Sequence, residues 1–531
     1  MNVIQVNDSN DDSRKSNEFN CSTDGDNFEE ISGDFSALRA YCLSQDKLYE
    51  DPDFPANNFS IYRSMPPSDD QQVIEWKRPR EIVEEPKFVT EGFSRFDVRQ
   101  GSLGNCWFIA SCASLTSHQR LFDRVVPADN GQFEDDTYAG LFRFRFWMYG
   151  RWEDVVIDDR LPVKEDNTLL YMSSSTKNEF WAALLEKAYA KLHGSYQSLK
   201  SGTGLEGMVD LTGGITVDYP LKGAEPANMF EILERSLARK SLVTTGINQD
   251  TQDRLKSVNL VSSHEYSVTK VSRFDANLLN LGHGLVPNVR LICLRNPWGS
   301  KEWNGPWSDS SPAWKLVNDE KISELNIVKE DGEFWMGFED FVTYFDDISI
   351  CHQCPNDLDE LQNRNFPWEM LCYSGEWKRG STAGGSDAYS FWRNPQFVIT
   401  LSANCSNSIK SNSLQDDENV DSNTAVIIGL MQKHNRELGT EFLPIRIHVF
   451  PIPDHVVVRQ RLLSKQFFDE VAPVNGGARF APEREVVAKY SLPAGRYVVV
   501  PHTWKPKLEG EFFLRIFAEG SIVNTCNCDN E

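Results

Sequence analysis

Between Cys106 and Leu115 the chain is apolar and unbroken by Pro or Gly, and a short Gly- and Ser-containing stretch, Gln100-Gly101-Ser102-Leu103-Gly104-Asn105, leads into it. That pattern predicts a tight loop feeding a buried helix, with Asn105 as N-cap and Cys106 in the first turn. A second helix is predicted where Phe180, Trp181, Leu184, Leu185, Ala188, Tyr189 and Leu192 recur at helical spacing, with Asn178 to cap it and Gly194 to end it. Phe and Arg alternate from 141 to 149, Gly150 breaks the run, and apolar residues return from Trp152 to Ile157, the pattern of a hairpin. Glycines at 202, 204, 207, 213 and 214 mark a subdomain boundary. Beyond it, Glu265–Val271 and Val289–Arg295 read as strands. Asn296-Pro297-Trp298-Gly299 stops the second, because Pro cannot continue a ladder. If the two pair antiparallel, His264 at one start lies beside Asn296 at the other end. From Cys354 onward only strand-like runs occur: Gln396–Leu401, Ala425–Leu430, Ile445–Phe450, Arg496–Val500 and Phe512–Phe517. Polar loops such as Ser406–Asn423 separate them, which suggests an antiparallel sandwich.

Composition narrows the class. At 531 residues the chain has room for three to four domains. Its 54 basic and 78 acidic residues leave a net charge of −24, which argues against nucleic acid and for solubility or hard-cation binding. The 11 cysteines are odd in number and scattered, so a reducing cytosol is the expected setting. No apolar run is long enough to span a bilayer, and the N-terminus lacks a signal-peptide core. Residues 1–35, rich in Asn, Asp and Ser, read as a disordered acidic tail.

Candidate chemistry centres on Cys106. A thiol in the first turn of a helix faces unpaired N–H groups and the positive end of the dipole, so its thiolate is expected to be stabilised. Cys112, further along the same run, reads as packing. With His264 as base and Asn296 to orient it, Cys106 makes a nucleophile–base–orienter set, each member at the edge of a regular element.

Five motifs carry a resemblance that spans Trp76 to Ala518. They are Gln100-Gly-Ser-Leu-Gly-Asn-Cys106-Trp107, Asn178-Glu-Phe-Trp-Ala-Ala-Leu-Leu-Glu-Lys-Ala-Tyr-Ala-Lys191, His264-Glu-Tyr-Ser-Val-Thr269, Arg295-Asn-Pro-Trp-Gly299 and Asp331-Gly-Glu-Phe-Trp335. On these the sequence resembles the calpains, intracellular Ca²⁺-dependent cysteine proteases. The resemblance implies an α+β fold: a papain-like two-subdomain protease core, one half helical (36–200) and one β-rich (201–354). A C2-like antiparallel β-sandwich (355–519) and a short tail (520–531) would follow. It makes Cys106 the nucleophile, His264 the base and Asn296 its orienter. Gln100 would donate to the oxyanion hole, and Trp298 would shield the Asn–His bond. For Ca²⁺ it implies a first site from Asp97 and Glu179 with the carbonyls of Thr90 and Gly92. A second would use Glu302, Asp309 and Asp331 with the carbonyls of Lys329 and Glu333. Arg95 and Glu333 match a pair that links the two.

The sequence departs from the family pattern in three places. Asn105 stands where many members have Asp, Ser263-His264-Glu265 replaces Gly-His-Ala, and no EF-hand loop is found. It is therefore similar to the atypical members, with no EF-hand small subunit expected as partner. The implied activity is limited cleavage of protein substrates in the cytoplasm, with weak phospholipid contact at most through the sandwich. Its loop acids there are Asp416, Asp417, Glu418 and Asp421. The alternatives are a catalytically weak homologue acting as a regulatory or binding protein, for which Glu265 leaves room, and a transglutaminase-like acyl transferase. The latter would usually place Asp where Asn296 stands.

Overall fold

The computed structural model describes residues 2–6, 18–20, 33–64, 74–90, 92–223, 227–248, 252–274, 288–317, 319–325, 331–353, 368–402, 423–458, 462–477 and 479–524. Two compact units divide the chain: Phe28–Asp357, and Leu358–Glu531 together with Met1–Asn27.

The first unit holds two cores. One gathers helices α1 (Cys106–Leu115), α2 (Trp181–Leu192) and α3 (Gly204–Thr212) around the hairpin β1 (Leu141–Met148) and β2 (Arg151–Asp158). Trp107, Phe108, Phe144, Phe146, Trp181, Leu185, Tyr189, Met208 and Leu211 meet there, all but fully buried. The glycine-rich boundary near 201 is therefore not where this core stops, since α3 lies beyond it and packs into the same cluster. Along β1 the alternation is real but its polar face is not bathed in water. Arg143 is buried and donates to Asp129 (2.7 Å) and Asp154 (2.9 Å), while Arg145 donates to Asp154 (2.6 Å). Helix α2 starts later than the pattern suggested. Lys87 donates to the carbonyl of Asn178 and Phe180 donates back to Lys87, which holds 178–180 extended, so Phe180 takes the cap position.

The second core lies on a six-stranded antiparallel sheet. Its order is Glu333–Gly337 (β7), Val289–Arg295 (β6), His264–Phe274 (β5), Leu242–Ile247 (β4), Asp347–His352 (β8) and Ile215–Pro220 (β3). Ile247, Tyr266, Val268, Ile292, Leu294, Phe334, Ile348 and Ile350 fill its inner face. Strands β5 and β6 pair antiparallel with Ser267 opposite Arg295, so the start of one meets the end of the other.

In the second unit two sheets close on one core that includes Leu371, Tyr373, Ile428, Ile447, Val499, Leu514 and Ile516. One sheet runs Glu485–Leu492, Thr424–Gln432, Gly510–Glu519, Trp368–Trp377, and the other Ile445–Ile452, Gly495–Thr503, Phe397–Leu401, Ile522–Asn524. The tail expected to be disordered adds two strands to the first sheet: Asn2–Val6 pairs parallel with Trp368–Trp377, and Glu18–Asn20 pairs with Asn2–Val6. The β-branched run Val3-Ile4-Gln5-Val6 suits an open sheet edge, which a count of tail composition overlooks. The acids at 416–421 lie outside the described residues. Among the described residues no helix is long and apolar enough to cross a membrane.

Candidate active site

The loop before α1 is pinned on both sides. Arg99 exchanges main-chain bonds with Ser173 (2.8 and 3.0 Å), and Ser102 donates to the carbonyl of Leu170 (3.0 Å). At Gly101 a Cβ would lie 2.3 Å from the carbonyl oxygen of Tyr171, so only glycine lets the two segments close. Asn105 occupies the N-cap position but makes no capping bond; its amide Nδ2 instead donates to Glu186 Oε1 at 2.7 Å. Cys106 follows, partly buried at the first position of α1.

Contrary to the expectation from its place on the helix, the thiol's pKa is raised. Burial is the largest cause, and the Glu265 carboxylate adds to it. The main-chain N–H groups of Glu265, Trp107 and Cys106 itself pull the other way without winning. Helix position supplies donors to a thiolate, but desolvation and a neighbouring acid cost more. The same N–H of Glu265 places the sulfur against the start of β5, one residue from His264.

His264 and Asn296 are brought together as the strand register requires. His264 Nε2 lies 2.9 Å from Asn296 Oδ1, and both residues are buried. The amide's orientation is fixed by its other partners: Trp298 N donates to Oδ1 (3.0 Å) and Nδ2 donates to the carbonyl of Lys301 (3.1 Å). Oδ1 can only accept, so Nε2 carries the proton and Nδ1 keeps its lone pair. The Trp298 ring sits 4.7 Å from the imidazole and covers this bond, with Lys301 Nζ 4.7 Å above the indole. Burial lowers the His264 pKa to about 4; the Asn296 bond opposes this and Lys301 reinforces it. The Cys106 thiol and the His264 imidazole both rest neutral.

Gln100 lies beside this group with its side-chain amide engaged at both ends. Nε2 donates to the carbonyl of Leu103 (2.6 Å) and Oε1 accepts from Trp298 Nε1 (2.8 Å). Its main-chain N–H donates to the carbonyl of Pro297 (3.0 Å). The loop of the first core and the turn after β6 are thus joined directly.

The two carboxylate groups fare differently. Glu179 accepts from Thr90 N and Ser174 Oγ, both at 2.7 Å, and Asp97 accepts from Ser94 N at 2.6 Å. Burial lifts the Glu179 pKa to about 7, with the Asp97 charge adding to it, and burial raises Asp97 as well. Beside them the Thr90 hydroxyl is buried without a hydrogen-bond partner. Two carboxylates that repel each other next to an orphaned oxygen fit a hard cation, and the Thr90 and Gly92 carbonyls are on the same loop.

In the second group Glu302 accepts from Gly332 N (2.7 Å) and Asp331 from Glu333 N (2.8 Å). Asp309 is half-buried nearby in sequence, and Lys329 lies outside the described residues. Among the described residues no three acids, histidines or cysteines converge as metal ligands, so Glu302, Asp309 and Asp331 do not form one preformed cage. Glu333 is engaged by Arg95 through two parallel bonds of 2.7 and 2.8 Å. Arg295, whose pKa burial lowers to about 10, donates to the carbonyls of Asp331 (2.8 Å) and Val98 (3.3 Å). Arg95 and Arg295 therefore tie the segment before Cys106 to the sheet that carries His264.

Sequence reasoning missed one carboxyl close to Cys106 and read another only in part. Glu186 sits inside the apolar repeat of α2, and that misplaced charge was the available signal. Glu265 was noticed, but not that it would face the thiol.

Comparison with known proteins matches residues 49–352 to the model described as calpain family cysteine protease and residues 373–517 to calpain large subunit, domain III. The chain is 44% identical over 497 residues to Calpain-A and 43% over 499 to Calpain-B, both of Drosophila melanogaster. These alignments cover 92% of this chain but 57% and 51% of the fly proteins. Calpain-9 of Rattus norvegicus is 41% identical over 498 residues, covering 92% of this chain and 67% of its own.

Proposed function

Since the chain belongs to the calpain family of cysteine proteases, we propose that it is a calcium-activated endopeptidase that makes limited cuts in protein substrates through Cys106, His264 and Asn296. The observation that carries this reading is the fixed tautomer of His264. With its Nε2 proton committed to Asn296 Oδ1, only Nδ1 is free to take a proton from the thiol lying against the same strand.

Because both groups rest neutral, the proton leaves sulfur as the sulfur attacks the scissile carbonyl, and the positive charge formed on His264 is stabilised by Asn296 Oδ1. The carbon–sulfur bond forms, the oxyanion meets main-chain N–H groups at the start of α1, and His264 returns the proton to the leaving amine. A water, deprotonated by the same Nδ1, then attacks the thioester carbon, the carbon–sulfur bond breaks, and the sulfur takes the proton back from His264 as the acid product leaves. Gln100 would join the oxyanion donors once its Nε2 leaves the Leu103 carbonyl. In the family domains, bound Ca²⁺ would relieve the repulsion between Asp97 and Glu179 and so favour the aligned cleft. The cytoplasm is the proposed compartment, and weak phospholipid contact is assigned to the second unit.

The alternative, a weakly catalytic relative acting by binding, draws on the Glu265 carboxylate, which works against thiolate formation. Substitution separates them. Asp97→Ala should raise the Ca²⁺ needed for half-maximal cleavage, and Arg95→Ala should depress activity even at saturating Ca²⁺. Unchanged Ca²⁺ titrations in both variants would contradict the activation scheme.

A further inference from the structure

We propose that Glu186 is a positioning residue for the nucleophile: its ionised carboxylate fixes Asn105, and with it the start of the helix that presents Cys106, although Glu186 never reaches the substrate. This rests on the protease reading above. Oε1 accepts from Asn105 Nδ2 at 2.7 Å, and Oε2 accepts from Met172 N at 2.8 Å. The two bonds run to the two segments that grip each other around Gly101, so one carboxylate holds α2, the 170–173 segment and the residue preceding Cys106 together.

Glu186 is 1% exposed, and among the described residues no cation reaches it. Lys187, next in sequence, is spent on Asp158 (2.6 Å) and the carbonyl of Arg160 (2.7 Å). The titratable groups that face it are the thiol of Cys112 and the phenols of Tyr171 and Tyr196, all held neutral. Burial pushes the Glu186 pKa up to about 7, and the two donors only partly offset this.

An ionised carboxylate matches the two N–H donors. A protonated one carries an O–H, and the Met172 N–H cannot accept it. Its hydrogen-bond partner Asn105 carries an acceptor, Oδ1, that is buried without a hydrogen bond. Reaching it requires the Asn105 amide to turn, which releases the bond that now fixes the start of α1. Protonation of Glu186 therefore has a defined structural consequence one residue from the nucleophile, and the ionised form is the active one.

The test is the pH dependence of kcat for a fluorogenic peptide at saturating Ca²⁺, in wild type and in Glu186→Gln, which keeps an acceptor for Met172 and can donate to Asn105 Oδ1. A single group titrating near pH 7 predicts that wild-type kcat falls roughly tenfold between pH 8 and pH 6. Glu186→Gln, which mimics the protonated carboxyl, should lose that limb and stay from pH 6 to pH 8 near the level that wild type reaches at pH 6, roughly tenfold below wild type at pH 8. Repeating the profile at a second Ca²⁺ level separates Glu179, whose limb moves with Ca²⁺, from Glu186, whose limb does not. Difference infrared spectra between the same pH values should lose one buried protonated-carboxyl band in Glu186→Gln. A folded Glu186→Gln that keeps the wild-type limb and the full set of bands overturns the proposal. A chain that cleaves nothing at any pH counts against the protease reading instead, and the infrared comparison then decides Glu186 alone.

Discussion

Asn296 does three jobs with one amide: it fixes the His264 tautomer, accepts from Trp298 N and donates to the Lys301 carbonyl. Removing it frees the imidazole to rotate and leaves buried donors unpaired. Asn296→Ala should lower kcat about a hundredfold, the cost of misplacing a reacting group by ~1 Å, with KM nearly unchanged. Steady-state kinetics checks this, and a variant affecting KM alone would place Asn296 outside the chemistry. Glu265 acts in the opposite sense. Its own pKa is raised to about 8, first by burial and then by Asp347 and Asp218, so it acquires charge over the alkaline range in which the thiol must ionise. Each proton lost from Glu265 makes the next loss, from Cys106, harder. Glu265→Gln should therefore move the pH profile of Cys106 alkylation by iodoacetamide, followed on its own peptide, to lower pH. A shift upward or none would show that burial alone sets the thiol.

At the scale of elements, α1 and α3 touch through glycine. A Cβ at Gly207 would stand 2.7 Å from Ser111 Oγ and 3.0 Å from its Cβ, and Ser111 in turn donates to the carbonyls of Trp107 and Gly204. Gly207→Ala should cost about 1–3 kcal/mol by forcing the helices apart, measured by denaturant unfolding. The strands and helices that hold the site were legible where a strong local signal agreed with tertiary need. Pro297 ends β6, and the antiparallel pairing of β5 and β6 that the spacing permits brings His264 to Asn296. The cap of α2 was misread because Lys87 bridges 178–180, a contact made by residues ninety positions away in the chain that no local window contains. Likewise the Phe–Arg alternation gives the strand but not the partners of Arg143, because Asp129 and Asp154 close on it from elsewhere in the chain. Trp368–Trp377, with its Ser and Gly, becomes a strand because Gly510–Glu519 and Asn2–Val6 flank it. The lowered thiol pKa expected of Cys106 failed for a related reason: helix position is written locally, burial and Glu265 are not.

Taken whole, the chain sets Cys106 and His264 on two cores within the unit Phe28–Asp357, joined by Arg95–Glu333, Arg295–Val98 and Gln100–Trp298. The proposed activity requires those cores in registry, and under that proposal a dication at the Asp97–Glu179 pair would stabilise it. The central claim, a calcium-dependent protease working through Cys106, is tested most directly by one titration. Purified wild type and Cys106→Ala are each incubated with a denatured protein substrate from chelator to millimolar Ca²⁺, and cleavage is followed by gel. The account predicts cleavage by wild type that rises with Ca²⁺ from a negligible level in chelator, and none by Cys106→Ala at any concentration. Cleavage by rigorously pure Cys106→Ala, or wild-type cleavage as fast in chelator as in Ca²⁺, would contradict it.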